Sequence, residues 1–280
     1  MEEHQGEAII EDFKRIFFEM DDAVKWTDKK VLMLAASVYA MNDSPFSASR
    51  YRGLCDFIKK EASLFSPLKS NLRFTAAAFL DARFTDTREK YSEFIEIYDK
   101  LVNKGFKKGN FTYITALVIL ADDRLKENEA QMERALKVFK EMKSEHPFIT
   151  TNEDYPLAVL LSQLEGEAEE IVANVEYFYK QLSRNNFYKG NDLQFLSYIL
   201  ALDKSHDKDV LIDRVVQVYD QMKKISIKPK SVLYPEIGLL ALMEQGKNEL
   251  EMIQNIKDDL DRTKHFKWQK DINFKMAVNL

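Results

Sequence analysis

The sequence is poor in the residues that break or staple a chain. It has only 8 glycines and 6 prolines among 280 residues, too few for the turns of a β-sandwich of this length, so helices are favoured from the outset. A single cysteine, Cys55, excludes an intramolecular disulfide framework and suits a reducing compartment. Nothing beside it would activate a thiolate, which makes it a small core residue. The longest apolar runs, such as Ile114 to Ala121, end after about eight residues, far short of the roughly twenty that cross a bilayer. The acidic start Met1-Glu2-Glu3-His4 lacks the basic and apolar blocks of a secretory signal, so a cytoplasmic location is expected. Histidine is scarce as well: His4, His146, His206 and His265 lie far apart, and none has the spacing of a zinc site.

What the chain does have is repetition. At 45% hydrophobic residues it can build a sizeable core, and one motif recurs along it: an aromatic residue, Ile or Pro, a short polar stretch, then a strongly apolar helix. The starts are Trp26, Pro67, Phe106, Phe148, Phe187, Ile227 and Phe266, separated by 41, 39, 42, 39, 40 and 39 residues. Within the apolar helix a small residue holds a matched place: Ala36, Ala77, Ala116, Ala158, Ser197, Gly238 and Ala277. Small side chains let helix axes approach closely, so this column marks where each first helix crosses its neighbours. A second helix follows with a narrower apolar stripe, in which Tyr98, Phe139, Tyr179 and Tyr219 recur, each followed three residues on by Leu or Met. At helical spacing such an aromatic column is core.

The pattern predicts an all-α fold, an α/α solenoid of about six helix-hairpin repeats of the HEAT or TPR kind with a period near 40 residues. Residues 1–24 form an N-terminal capping helix, with its amphipathic part at about 6–20. The repeats run about 25–65, 66–105, 106–147, 148–186, 187–226 and 227–265, and 266–280 is a terminal partial repeat, all within one domain. Pro156 and Pro235 suit first-turn positions, Gly105, Gly109 and Gly190 suit helix ends, and Asn71, Asn110, Asn152 and Asn191 suit helix N-caps.

Several of these segments carry a family likeness. Phe65-Ser66-Pro67-Leu68-Lys69-Ser70-Asn71-Leu72, Gly105-Phe106-Lys107-Lys108, His146-Pro147-Phe148-Ile149-Thr150 with Asp154-Tyr155, Gly190-Asn191 with Leu196-Ser197, and Gly238-Leu239-Leu240-Ala241-Leu242 resemble a bacterial family known as domain of unknown function 4003. The resemblance covers most of the chain through short structural motifs, and it implies the fold without implying an activity.

No catalytic, metal or cofactor signature emerges. Ser205-His206-Asp207 spells triad residue types, but adjacent loop residues cannot assemble a triad alone. Asp122-Asp123 with Glu127 and Glu129, and Asp258-Asp259 with Asp261, resemble magnesium-holding clusters without the facing arrangement such sites need. Lys107-Lys108-Gly109-Asn110 lacks the Lys-Ser/Thr of a phosphate loop.

Charge is more informative. The net charge of −5 argues against a surface given over wholly to nucleic acid, yet the bases and acids are segregated. Loops between repeats are basic, most clearly at Lys107, Lys108, Lys189, Lys228, Lys230, Lys267 and Lys270. Loops within repeats are acidic, at Asp43, Asp81, Asp86, Asp122, Asp123, Glu127, Glu165, Glu167, Asp203, Asp207, Asp209 and Glu244. Acids starting and bases ending each second helix complement its dipole, whereas acids ending each first helix oppose theirs. The expectation is a non-enzymatic scaffold or protein- or peptide-binding module. The alternative is an anionic partner, whether nucleic acid, acidic protein or membrane surface, along the basic edge; an enzyme with a pocket in the concave groove comes third.

Overall fold

The structure is a computed structural model that describes residues 2–126 and 129–280. Among these residues the fold is all helix without strands. The helices are α1 (Glu2–Ala23), α2 (Lys29–Met41), α3 (Ala48–Glu61), α4 (Leu72–Arg83), α5 (Thr87–Lys104), α6 (Asn110–Leu120), α7 (Asp123–Lys126), α8 (Glu129–Glu145), α9 (Tyr155–Leu161), α10 (Ala168–Arg184), α11 (Asn191–Ala201), α12 (Lys208–Lys224), α13 (Tyr234–Leu242), α14 (Leu250–Arg262) and α15 (Lys270–Asn279). Single 3-10 turns at Pro67–Lys69, Asn152–Asp154 and Ser231–Leu233 precede α4, α9 and α13. No helix among the described residues is long and apolar enough to cross a membrane.

The chain forms two compact units. The first comprises Met1–Asn103, Lys107–Ala121 and Asn279–Leu280, and the second Lys104–Phe106 and Asp122–Val278. In the first unit, α1 lies along α2 and α3, α2 against α4, α3 against α4, and α4 touches α6. The periodic apolar residues of α1 drive this, since Ile10, Phe13, Ile16, Phe17 and Met20 are all buried. In the second unit α9, α11 and α13 touch in succession, as do α8, α10 and α12, with α8 on α9, α10 on α11 and α12 on α13. Helices of the more apolar kind thus stack on their own kind, beside a row of amphipathic ones.

The small-residue column sits where these layers meet. Ala36, Ala77, Ala116, Ala158 and Ser197 are fully buried and Ala277 nearly so. Gly238 shows what the column is for: a Cβ built there would stand 2.5 Å from Leu196 Cδ1 and 3.4 Å from Ile199 Cγ2. At that point α13 lies against the Leu196 and Ile199 side chains of α11, which must shift to admit a larger residue.

Pro156 and Pro235 fall in the first turns of α9 and α13, where a missing N–H costs nothing. The asparagines behave otherwise than expected. Asn71 stands at the cap of α4 with helical backbone and no side-chain bond, and Asn110 and Asn191 are the first residues inside α6 and α11. Their cap positions belong to Gly109 and Gly190, at φ +155° and +149°, which side-chain-bearing residues rarely adopt. At Asn152 the cap is Thr151, whose hydroxyl accepts from Glu153 N–H while Asp154 accepts from Thr151 N–H at 2.8 Å. Asp81 is also displaced from its expected place. It lies inside α4 rather than in a loop, buried, accepting from Arg50 Nε at 2.7 Å and from the Tyr39 hydroxyl at 2.6 Å.

Candidate binding edge at the inter-repeat linkers

Burying a large apolar side chain is worth about 1.5–3 kcal/mol, so a protein that leaves several out in water forgoes much stabilisation. Among the described residues, the large apolar side chains more than two-thirds exposed are Trp26, Leu64, Phe65, Phe148, Tyr188 and Trp268, the first of them fully so. None lies in a helix; each sits in a linker between repeats. Sequence periodicity missed them because a buried residue stands close to each ring. Phe187 and Phe266 are buried one and two residues before Tyr188 and Trp268. Thr150 is buried two residues after Phe148, and Thr27 directly after Trp26. Pairs of large residues within one short linker were the available signal, since only one of each pair fits inside.

The seven lysines expected to form a basic edge are exposed, six of them in linkers between repeats and Lys270 as the first residue of α15. Lys107 and Lys108 precede α6 in the first unit. Lys189 follows Tyr188, Lys228 and Lys230 flank Pro229, and Lys267 and Lys270 flank Trp268, all in the second unit. There, linkers are bonded to the first helices of adjacent repeats. Gln194 Nε2 donates to Thr150 Oγ1 at 2.8 Å, Tyr188 N–H to the Tyr234 hydroxyl at 3.1 Å, and the Ser231 hydroxyl to Asp192 at 2.7 Å. Lys230 Nζ reaches Asp271 at 2.7 Å, next to Lys270. Lys267 Nζ lies 5.1 Å from the centre of the Trp268 ring. The linkers and helix starts of the second unit therefore hold Phe148, Tyr188 and Trp268 and five exposed lysines, with Asp192 and Asp271 offsetting part of the charge.

Beneath this edge the second unit holds a buried polar cluster. In repeat 106–147, Phe106 and Phe139 both pack against Tyr155, at 4.7 and 4.5 Å between ring centres. Phe187 and Tyr219 of 187–226 form a second trio with Tyr234 of the next repeat, in which Phe187 packs against both tyrosines, at 4.7 and 4.8 Å. The intervening repeat has Thr150 and Gln194 at the flanking places and keeps only Tyr179, which packs on His146 at 4.6 Å. His146 Nε2 meets Glu176 Oε1 at 2.6 Å. Among the described residues, the Tyr198 hydroxyl and Gln194 Oε1 are buried without a partner. Burial pushes the Tyr198 phenol up and the nearby Asp154 carboxyl up to about 6. These groups mostly satisfy one another, which suits a structural cluster better than a catalytic one.

On the other side, where loops within repeats begin the second helices, one arginine position differs between repeats. Arg134 Nε donates to Ser162 O at 2.8 Å, and its Nη2 to Leu164 O at 2.9 Å and to Gly166 O. Arg214, two repeats on, lines a cavity of about 310 Å³ with Asp213, Gln217, Glu244 and Lys247, and its Nη1 is buried without a partner among the described residues.

The motifs set aside in the sequence stay unassembled. Ser205 Oγ and Asp203 both approach His206 at the same nitrogen, Nδ1, at 3.0 and 3.2 Å, whereas a triad needs the two ring nitrogens on different partners. Burial opposes ionisation of Asp203, but bonds from His206 and Ser205 hold its carboxyl below the ordinary range. Asp122 is taken by Arg124 at 2.8 Å and Asp261 by Lys257 at 2.9 Å. Among the described residues no three His, Cys, Asp or Glu side chains converge as metal ligands. Glu127 and the side chain of His4 lie outside the described residues.

Residues 16–280 match the family described as Protein of unknown function (DUF4003). Uncharacterized protein YeaA of Bacillus subtilis (strain 168) is 35% identical over 269 residues, covering 95% of this chain and 81% of that protein. No solved structure matches.

Proposed function

We propose, from the premise that this chain belongs to the DUF4003 family, that it is a non-enzymatic helical-repeat binding module of the cytoplasm that engages its partner through the linker edge. Its architecture in this reading is an α/α solenoid of six helix hairpins in one domain, with α1 as cap. The stacking of like helices and the buried small-residue column support that arrangement. One observation carries the functional reading: large apolar side chains stand in water at the linkers, beside lysines, and nowhere among the described helices is one so exposed. Exposed apolar residues set among charges are the usual mark of an interaction surface.

The test is affinity capture from the native cytosol with the intact protein, and with a variant carrying Gln at Lys189, Lys228, Lys230, Lys267 and Lys270. Capture should weaken at higher salt and largely vanish for the variant. An unchanged captured set would overturn the assignment to this edge.

A further inference from the structure

We infer that the linker edge of the second unit docks on an anionic lipid bilayer surface; this rests on the binding-edge reading above and names its partner. Phe148, Tyr188 and Trp268 project from linkers at 95%, 73% and 82% exposure. They are tips rather than the walls of a groove. Tips that stand clear of the surface cannot enclose a ligand, but they can enter a soft one, and Trp and Tyr are the side chains whose rings settle at a membrane interface.

The cations around them are mostly lysines, Lys189, Lys228, Lys230, Lys267 and Lys270, with Arg184 and Arg262 ending the helices that lead into the Tyr188 and Trp268 linkers. Lysine is a point charge that serves an anionic headgroup layer, whereas nucleic-acid recognition favours the planar, forked guanidinium.

The charge layout agrees. The acids Glu165, Glu167, Asp207 and Asp209 stand at the starts of α10 and α12, a helix length of roughly 25 Å from the linkers that follow those helices. A negatively charged plane would therefore attract the lysine edge and repel the other.

The experiment uses the full chain with vesicles of phosphatidylcholine alone or with one-third phosphatidylglycerol, at low and moderate salt, read by flotation. The two tryptophans, Trp26 and Trp268, are both exposed, so the Trp26→Phe variant leaves Trp268 as sole reporter. Binding only to the anionic vesicles is expected, with a blue shift of Trp268 emission. Each of Lys228→Gln and Lys230→Gln should weaken binding about fivefold, and Trp268→Ala should weaken it without moving the unfolding midpoint. Absence of flotation at low salt would overturn the inference, as would flotation without a blue shift, or tighter binding to single-stranded poly(U) RNA than to the vesicles. If flotation fails while cytosolic capture still depends on the linker lysines, only the lipid assignment falls.

Discussion

Replacing Gly238 by alanine tests how closely α11 and α13 touch. The added Cβ would stand 2.5 Å from Leu196 Cδ1 and 3.4 Å from Ile199 Cγ2. Leu196 is fully buried, so its terminal methyl must push into packed neighbours. Over-packing of this kind costs about 1–3 kcal/mol. Glycine to alanine within a helix otherwise stabilises by about 1 kcal/mol, which leaves a net loss of up to about 2 kcal/mol. For a chain of this size that lowers the thermal midpoint by about 2–4 °C per kcal/mol. Urea unfolding followed by far-ultraviolet circular dichroism would measure it. Leu196→Ala alone should cost about 2–5 kcal/mol. The double variant should cost less than the sum of the singles by about 1–2 kcal/mol, because each change relieves the other. A Gly238→Ala protein more stable than the parent, or strict additivity, would refute the close approach.

Other expectations follow from the same structure. The proton on Asp154 is held more tightly in the folded chain, where the carboxyl titrates at about 6. Its contribution is thus complete below about pH 4 and is lost as pH rises to about 6, amounting to about 3 kcal/mol. Asp154→Asn should flatten the unfolding free energy across that window, and a variant with the parent's slope would show that another group is responsible. Arg134→Ala should cost about 1–3 kcal/mol in urea unfolding, through the loss of its bonds to the Leu164 and Gly166 carbonyls and to Ser162 O, which Gln131 still serves. Arg214→Ala, which removes no hydrogen bond among the described residues, should change stability by less than about 0.5 kcal/mol. Burial pushes the Cys55 thiol up to about 12, so it should react with a disulfide reagent at neutral pH only as fast as the protein opens, and promptly in denaturant; fast reaction of the folded protein would contradict that burial.

Much of the fold was legible because helical periodicity reports burial directly. The α1 face from Ile10 to Met20, the column from Ala36 to Ala277 and the first-turn prolines Pro156 and Pro235 all stand where the pattern placed them. What sequence could not rank was competition within a short linker. At Gly109-Asn110 and Gly190-Asn191, asparagine is the better cap by propensity, yet the chain reverses through a backbone angle open to glycine, and asparagine slides one place inward. Phe148 and Thr150 are a similar case. Phe148 stands ten residues before Ala158, as Phe106 does before Ala116 and Phe187 before Ser197, so its spacing gives no sign that threonine takes the interior place against Gln194. The lysines of the candidate edge were readable from charge alone. The rings beside them were not, because hydrophobicity counts a buried Phe187 and an exposed Tyr188 alike.

The aromatic trios carry a lesson for anyone reshaping the protein. Phe106, Phe139 and Tyr155 find their counterparts about eighty residues later in Phe187, Tyr219 and Tyr234, skipping the polar repeat between. Clusters of aromatic residues therefore recur two hairpins apart in the second unit, twice the sequence period. Lengthening or trimming that unit by one hairpin would set ring against threonine and glutamine; only even steps keep like surfaces in register.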